Sequence, residues 1–199
     1  MRRKPVLLIV LLLLTLSLTA CAKKADMPME VTVDGYTIVL GKTTMKDMTD
    51  LGYEVHTDGM PDVAREGDKY IPFYYSLDRG AGDQIHVTVM APWSGNSDIS
   101  AEQSFAVTEG VIRSVRFTLD AVEKVEVTYN GMNVNDLSFD YAKEEWGAKL
   151  DDKSSTKIKY QVDAKDGFVI LDAVSTLEEE YGGLNIQLTT SAFEKMQEQ

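Results

Sequence analysis

The fold class is decided by residues 157–174, which read KIKYQVDAKDGFVILDAV. Apolar and polar residues alternate from Ile158 to Val162, a pattern typical of a strand with one buried face. Asp166 and Gly167 separate this run from a second one. Asp-Gly in that setting indicates a hairpin, because a type I′ turn needs positive φ at both central residues. We therefore predict one antiparallel hairpin over 157–174.

The same alternation recurs along most of the chain. It is found in Ile85–Met90, Val115–Leu119, Val125–Tyr129 and Leu184–Leu188. In the first of these segments, His86, Thr88 and Met90 point away from the apolar face. The chain is therefore predicted to consist mainly of antiparallel strands.

Three short stretches predict helices instead, because each begins with an N-cap residue. The signals are Thr44 with a stop at Gly52, Ser138 with a stop at Gly147, and Ser191 with Glu194 as its capping-box partner. The third helix runs into the C-terminus, where we expect it to fray. Together these elements predict an α+β fold of antiparallel β-sheets with short helices.

The first two helices also end alike. Gly52 and Gly147 each follow a large apolar residue, precede a short alternating segment and several strands, and lie 95 residues apart. Such a repeat indicates two tandem helix-plus-sheet modules, placed at 31–120 and 121–199. Coincidence between two short helix ends is the alternative.

The N-terminus has the composition of a secretory signal. Basic residues at 2–4 precede the apolar run Val6–Leu14. Residues 18–21 read LTAC and resemble the bacterial lipobox, in which the cysteine is diacylated after cleavage. The pattern predicts a lipoprotein signal peptide at 1–20 and lipidation of Cys21.

Two other interpretations of this segment compete. A transmembrane helix needs about 20 apolar residues, whereas Val6–Ala20 has 15 and includes three hydroxyl side chains. An ordinary signal peptide would leave Cys21, the only cysteine, as an unpaired thiol in an exported protein. Two acyl chains give stable attachment. We expect the protein on the extracytoplasmic face of the cell membrane, with 21–30 as a tether of roughly 30 Å.

The charge of the chain excludes one class of partner. Three of its 20 lysines and arginines lie in residues 1–20 and none of its 32 acidic residues does, so residues 21–199 carry 17 positive and 32 negative charges. An excess of this size repels phosphate backbones. We predict no nucleic acid binding.

Motifs for catalysis and for metal binding are absent from the sequence. His56 and His86 are the only histidines, and no Gly-x-Ser-x-Gly elbow is present. The acidic runs Asp151–Asp152 and Glu178–Glu180 are typical of a solvated surface, with weak calcium binding as the alternative. Neither an enzyme nor a cofactor is predicted, although an unrecognised acid pair stays open among so many carboxylates.

The most informative cluster is aromatic. Tyr70, Tyr74, Tyr75 and, further on, Trp93 form a candidate binding surface. Pro72 lies inside the cluster and indicates an edge strand or a bulge, because proline cannot donate to a strand ladder. Packing of these side chains in the core is the alternative.

A helix that ends in glycine, followed by a meander of strands, in duplicate and behind a lipobox, resembles the small envelope modules of the beta-lactamase inhibitor protein and the SmpA/OmlA domain. The segment Tyr36–Val55 also looks like uncharacterised lipoproteins of clostridial bacteria. The resemblance implies binding by a sheet surface rather than catalysis. It identifies no functional residue by position.

These observations predict a non-catalytic binding or envelope-interaction module, held at the membrane by its lipid anchor. The partner would be another envelope protein or a cell-wall component. A small-molecule receptor or a hydrolase with an unrecognised acidic site is the alternative.

We predict that Cys21→Ser abolishes maturation and membrane attachment, because serine offers no sulfur for the thioether. Fractionation of cells followed by immunoblotting measures both. A variant that is still cleaved normally and still sediments with membranes would contradict the anchor.

Overall fold

The computed structural model describes residues 26–59, 67–80, 85–95, 99–118, 125–154, 157–173 and 181–199. Several predictions fall outside these ranges, namely those on the signal peptide 1–20, Cys21, residues 22–25, Leu119, Val174 and Glu178–Glu180. Within them, the chain forms two antiparallel sheets and four short helices. The predicted α+β fold is confirmed.

The strands of the described residues are β1 Glu30–Val33, β2 Tyr36–Val39, β3 Glu54–Thr57, β4 Tyr70–Asp78, β5 Ile85–Pro92, β6 Val111–Thr118, β7 Val127–Tyr129, β8 Met132–Asn133, β9 Lys149–Lys153, β10 Ile158–Asp163, β11 Gly167–Ala173 and β12 Tyr181–Leu188. The helices are α1 Met45–Asp50, α2 Ser100–Thr108, α3 Phe139–Glu145 and α4 Thr190–Gln197, with a 3-10 turn at Val134–Asp136. None of these helices has the length and hydrophobicity required to cross a bilayer.

The two halves of the chain share one order of elements, a hairpin, a short helix and four antiparallel strands, and the first half has helix α2 in addition between β5 and β6. The hairpins join as a small sheet, β2-β1-β7-β8, and the meanders join as a large sheet, β3-β4-β5-β6-β12-β11-β10-β9. The predicted modules would therefore share both sheets, since β1 pairs with β7 and β6 pairs with β12. Their origin by duplication stays a prediction.

The hairpin predicted over 157–174 is formed by β10 and β11, but its predicted turn is wrong. Asp166 and Gly167 are both described, and neither has a positive φ. Gly167 instead begins β11, where a Cβ atom would lie 2.0 Å from the carbonyl oxygen of Gln187. Close approach of two strands, rather than turn geometry, requires this glycine.

Type I′ geometry occurs in the two hairpins of the small sheet. Asp34 and Gly35 have φ of 48° and 80°, and Asn130 and Gly131 have φ of 49° and 78°. Both pairs carry the Asp-Gly or Asn-Gly sequence that this turn favours. These two hairpins were not predicted.

The predicted caps of α1 and α3 are confirmed. Thr44 forms a capping box with Asp47, and the Ser138 side chain accepts a hydrogen bond from the Tyr141 amide. Gly52 and Gly147 follow these helices with φ of 89° and 68°, as expected of glycine stops.

The other two helices differ from the predictions. The cap of α4 is Thr189 rather than Ser191. Phe193 in the first half of α4 is fully buried, and the fraying of its C-terminal end stays a prediction. Helix α2 was not predicted, since Phe105 to Val107 form a continuous apolar run instead of a helical repeat.

The predicted tether is too long at its C-terminal end. Met27 is buried, the Pro28 carbonyl accepts a hydrogen bond from the Tyr129 hydroxyl at 3.0 Å, and the Met29 carbonyl accepts one from the Leu40 amide at 2.9 Å. The folded body therefore begins at Met27 rather than after Glu30.

One core fills the space between the two sheets. The inner face of β4, from Ile71 to Leu77 in steps of two, is buried as the alternation predicts. Helix α2 covers this end of the large sheet, where the Tyr75 hydroxyl donates to the Gln103 carbonyl at 3.4 Å. Helix α3 covers the other end, where Phe139 and Tyr160 have ring centroids 4.7 Å apart. Both sheets thus turn one face toward this core and the other face away from it.

We predict that Gly167→Ala destabilises the protein by about 1–3 kcal/mol, because the added methyl group overlaps a backbone carbonyl that cannot move without shifting β12. Urea unfolding measures the loss. Gly59→Ala is the matched control, since a Cβ at Gly59 meets nothing within 4 Å. Equal stability of the two variants would contradict this packing.

Candidate functional site

The outer face of the large sheet carries a continuous row of side chains across all eight strands. We call it the arginine row; in strand order it consists of His56, Ser76, His86, Arg116, Asn185, Ile170, Gln161 and Lys149. Seven strand spacings give it a length of about 34 Å. Except for Ser76 and Ile170, these residues are partly or largely exposed.

A second row runs beside the first across six strands. We call it the serine row; it consists of Tyr74, Thr88, Ser114, Gln187, Phe168 and Asp163. Small hydroxyl side chains lie near its middle, and Tyr74 and Phe168 stand on either side of them. The serine row therefore has one aromatic ring on either side of its two small hydroxyl residues.

Arg116 lies at the centre of this face, beside the junction of β6 and β12. Its Nε atom is 3.4 Å from an Asp172 carboxylate oxygen, and half of the Arg116 side chain is exposed. The strand between them carries Gly183, which offers no side chain to block the pair. The guanidinium is thus oriented by Asp172 and still reaches solvent.

His86 lies on the outer face of β5, as the alternation predicts, and its imidazole ring is paired there. Its Nδ1 atom lies 2.6 Å from a carboxylate oxygen of Asp58. Asp58 is held in place through its backbone, which donates to the Tyr74 carbonyl at 2.9 Å.

Asn185, next to Arg116 in the arginine row, carries a polar atom without a partner. Its side-chain oxygen is shielded from solvent and accepts no hydrogen bond from any described residue. Leaving such a group unsatisfied costs about 1–3 kcal/mol. Unsatisfied groups of this kind call for an explanation, and a role in binding is one.

The predicted aromatic surface is only partly correct. Tyr74 does lie on the outer face, in the serine row. Tyr75 was wrongly included: it is 1% exposed and stacks with Phe73 in the core. Burial raises the pKa of Tyr75 to about 12. Strand alternation sends neighbouring side chains to opposite faces, so Tyr74 and Tyr75 could not share one surface.

Tyr70 and Trp93 are partly buried and pack against the core. The Tyr70 ring contacts Phe193 of α4 edge-on, with centroids 5.3 Å apart, and the Trp93 amide donates to the Lys69 carbonyl at 2.8 Å. Both side chains therefore help to pack their own segments. Pro72 lies within β4 and pairs with Met90 of β5 on one side. On its other side, the described pairing of β3 with β4 ends at Tyr75, so Pro72 has no described β3 partner.

A cleft of about 520 Å³ lies on the opposite side of the molecule, against the outer face of the small sheet. Asp26, Glu30, Thr32 and Thr128 line it with polar groups. A typical small-molecule site is instead lined mainly by apolar and aromatic side chains.

The described residues contain no group of three or more His, Cys, Asp and Glu side chains suited to a metal ion.

The acidic residue pair Asp151–Asp152 lies on β9. Asp152 forms an ion pair with Lys157 at 2.7 Å, which is the ordinary arrangement of a charged surface strand.

No protein-family model matches the chain, and neither curated proteins nor solved structures show a significant similarity to it. The resemblance to the beta-lactamase inhibitor protein, to the SmpA/OmlA domain and to clostridial lipoproteins therefore stays a prediction.

Sequence reasoning missed Arg116, Asn185 and Asp172. Alternation assigned His86 and Thr88 to the outward face, and the same rule applied to β6, β11 and β12 would have added the other outward residues. The alternation rule could not have predicted that these residues are neighbours, because their proximity depends on the pairing of β6 with β12.

Proposed function

We propose that the protein is a membrane-anchored, extracytoplasmic lipoprotein that binds another envelope protein through the outer face of its large sheet, without catalysing a reaction. The observation that carries this proposal is the arginine row, a largely exposed set of mainly polar side chains that continues across eight strands.

The dimensions of the face support a macromolecular partner. The central strands have six to nine residues, which corresponds to roughly 20–30 Å. Helix α4 packs on Tyr70 at the start of β4, so part of the outward side is covered there. The arginine row still extends about 34 Å across the sheet. A small metabolite would use only a fraction of it.

The charge of the face indicates the chemistry of the partner. Acidic groups on or beside the face are Glu54, Asp58, Asp78, Asp152, Asp163 and Asp172, and basic groups are Arg116, Lys149, Lys157 and Lys159. The described face is therefore acidic, like the rest of the chain, which favours a partner with a basic surface. Arg116 lies at the centre of the face, among these acidic groups. There it would pair with one carboxylate of the partner. Central arginines are common among the residues that dominate interface energies.

The alternatives make different demands on the structure. A small-molecule receptor would use the polar cleft at Thr32 and Thr128, and sugars, peptides or metal ions that bind there should raise the melting temperature. A hydrolase would use an unrecognised acidic site, for which the Asp58–His86 pair is one candidate. A wall polymer would bind along the serine row between Tyr74 and Phe168.

We expect a photo-crosslinking amino acid at Thr88 to capture one protein partner in intact cells, and the same amino acid at Thr37 to capture none. Thr37 lies on the small sheet, whose face is opposite. Arg116→Glu should weaken the complex about tenfold or more, since loss of a central arginine typically costs more than 1 kcal/mol.

Lys42→Glu is the matched control, because it makes the same change of charge at an exposed residue away from the face. Mass spectrometry of the adducts and titration of the purified pair measure the outcomes. Capture from Thr37 but not from Thr88, or equal loss of affinity for the two charge reversals, would contradict the proposed surface.

A further inference from the structure

Both histidines of the sequence lie in the arginine row. His56 and His86 are the only two in the chain, and each pairs with Ser76 of β4, one from β3 and the other from β5. Two strand spacings therefore separate them by about 10 Å. Histidine is the side chain whose ordinary charge change falls between pH 5 and 8. The proposed binding face thus contains every histidine through which the chain can respond to pH in this range.

The pairing of His86 with Asp58 determines which hydrogen bonds the imidazole ring can offer. The Asp58 carboxylate lies 2.6 Å from Nδ1 of His86. Because an ionised carboxylate can only accept, Nδ1 carries a proton in this pair. The neutral ring then has an acceptor at Nε2, and the charged ring has a donor there. Addition of a proton therefore reverses the hydrogen bonding of the ring at Nε2.

The surroundings of the two rings are mainly acidic. The titratable and charged groups that face the rings from the described strands are Tyr74 and Asp78 of β4, Arg116 of β6, Glu54 of β3 and Asp58 directly after β3. Arg116 lies opposite His86, but its guanidinium is directed to Asp172 of β11. We call the part of the face on β3, β4 and β5 the histidine end. Its described outward residues include three carboxylates and no lysine or arginine.

The opposite end of the face has balanced charges. Its carboxylates and ammonium groups are Asp152, Asp163, Asp172, Lys149, Lys157 and Lys159. Three charges of each sign lie there, and neither histidine does. The excess negative charge of the described face is therefore concentrated at the histidine end, where it would attract the basic surface of a partner.

From this arrangement we infer that protonation of His56 and His86 weakens the binding of the basic partner, so that the outer face binds near neutral pH and releases its partner on acidification. Two positive charges then offset two of the three carboxylates at the histidine end. In addition, Nε2 of His86 no longer accepts a hydrogen bond from a lysine or arginine of the partner. The inference rests on the proposed function, because it concerns the same face and the same basic partner.

A basic peptide of ten lysines tests this pH dependence. It represents the basic surface of the partner, and its side chains stay charged up to about pH 10. Its affinity for the full-length mature protein in non-ionic detergent is measured at about pH 7.5 and about pH 5.5, at the same low salt concentration. We expect the affinity to fall at least about fivefold at the lower pH. The double variant His56→Gln and His86→Gln should bind equally well at both pH values, because glutamine stays neutral.

The two ends of the face provide matched control variants. Asp152→Asn with Asp163→Asn removes two carboxylates from the balanced end and should leave the pH dependence as it is. Glu54→Gln with Asp78→Asn removes two carboxylates from the histidine end and should weaken peptide binding at the higher pH. The proton resonances of the two imidazole rings, followed between the same pH values, show directly whether the rings change charge.

Equal affinity of the unmodified protein at the two pH values would overturn the inference. So would a fall in affinity that persists in the histidine double variant, or rings that do not change charge in this range. These results would leave the proposed binding face intact, because crosslinking from Thr88 tests that face independently of pH. Failure of the crosslinking test would instead contradict the proposed function itself.

Discussion

The structure depends on the antiparallel pairing of β6 with β12. This pairing runs from Ser114 opposite Gln187 to Thr118 opposite Gly183 and turns two four-stranded meanders into one eight-stranded sheet. Its register also sets Arg116 directly opposite Asn185. Gly183 permits the close approach, because a Cβ there would lie 2.4 Å from the Phe117 carbonyl oxygen. Without this seam, the two halves of the arginine row would not meet.

The edge strand β9 of the large sheet is poorly suited to pairing with another chain. The outermost strand β9 bears Lys149, Asp151, Asp152 and Lys153, and its pairing with β10 is interrupted by a register shift. Charges and bulges of this kind keep an exposed edge from pairing with other chains. The proposed partner is therefore better matched to the face of the sheet than to its edge.

Much of the local structure could be predicted from the sequence, because its causes are local. The capping box at Thr44, the glycine at Gly147 and the alternation in β5 each act within a few residues. The assembly of the candidate site could not be predicted in this way. Arg116 and Asn185 are 69 residues apart in the sequence, and only strand pairing makes them neighbours. Composition also misled the prediction at Tyr75, where an aromatic cluster suggested a surface and alternation placed the ring in the core.

The central claim is that both halves form one cooperative sheet that presents a single outer face. Native-state hydrogen exchange of the amides paired across β6 and β12 tests it most directly. The account predicts that these amides exchange only through global unfolding, with the same free energy as the urea unfolding transition. Exchange of the seam amides at a much lower free energy, with each half unfolding in its own transition, would contradict it.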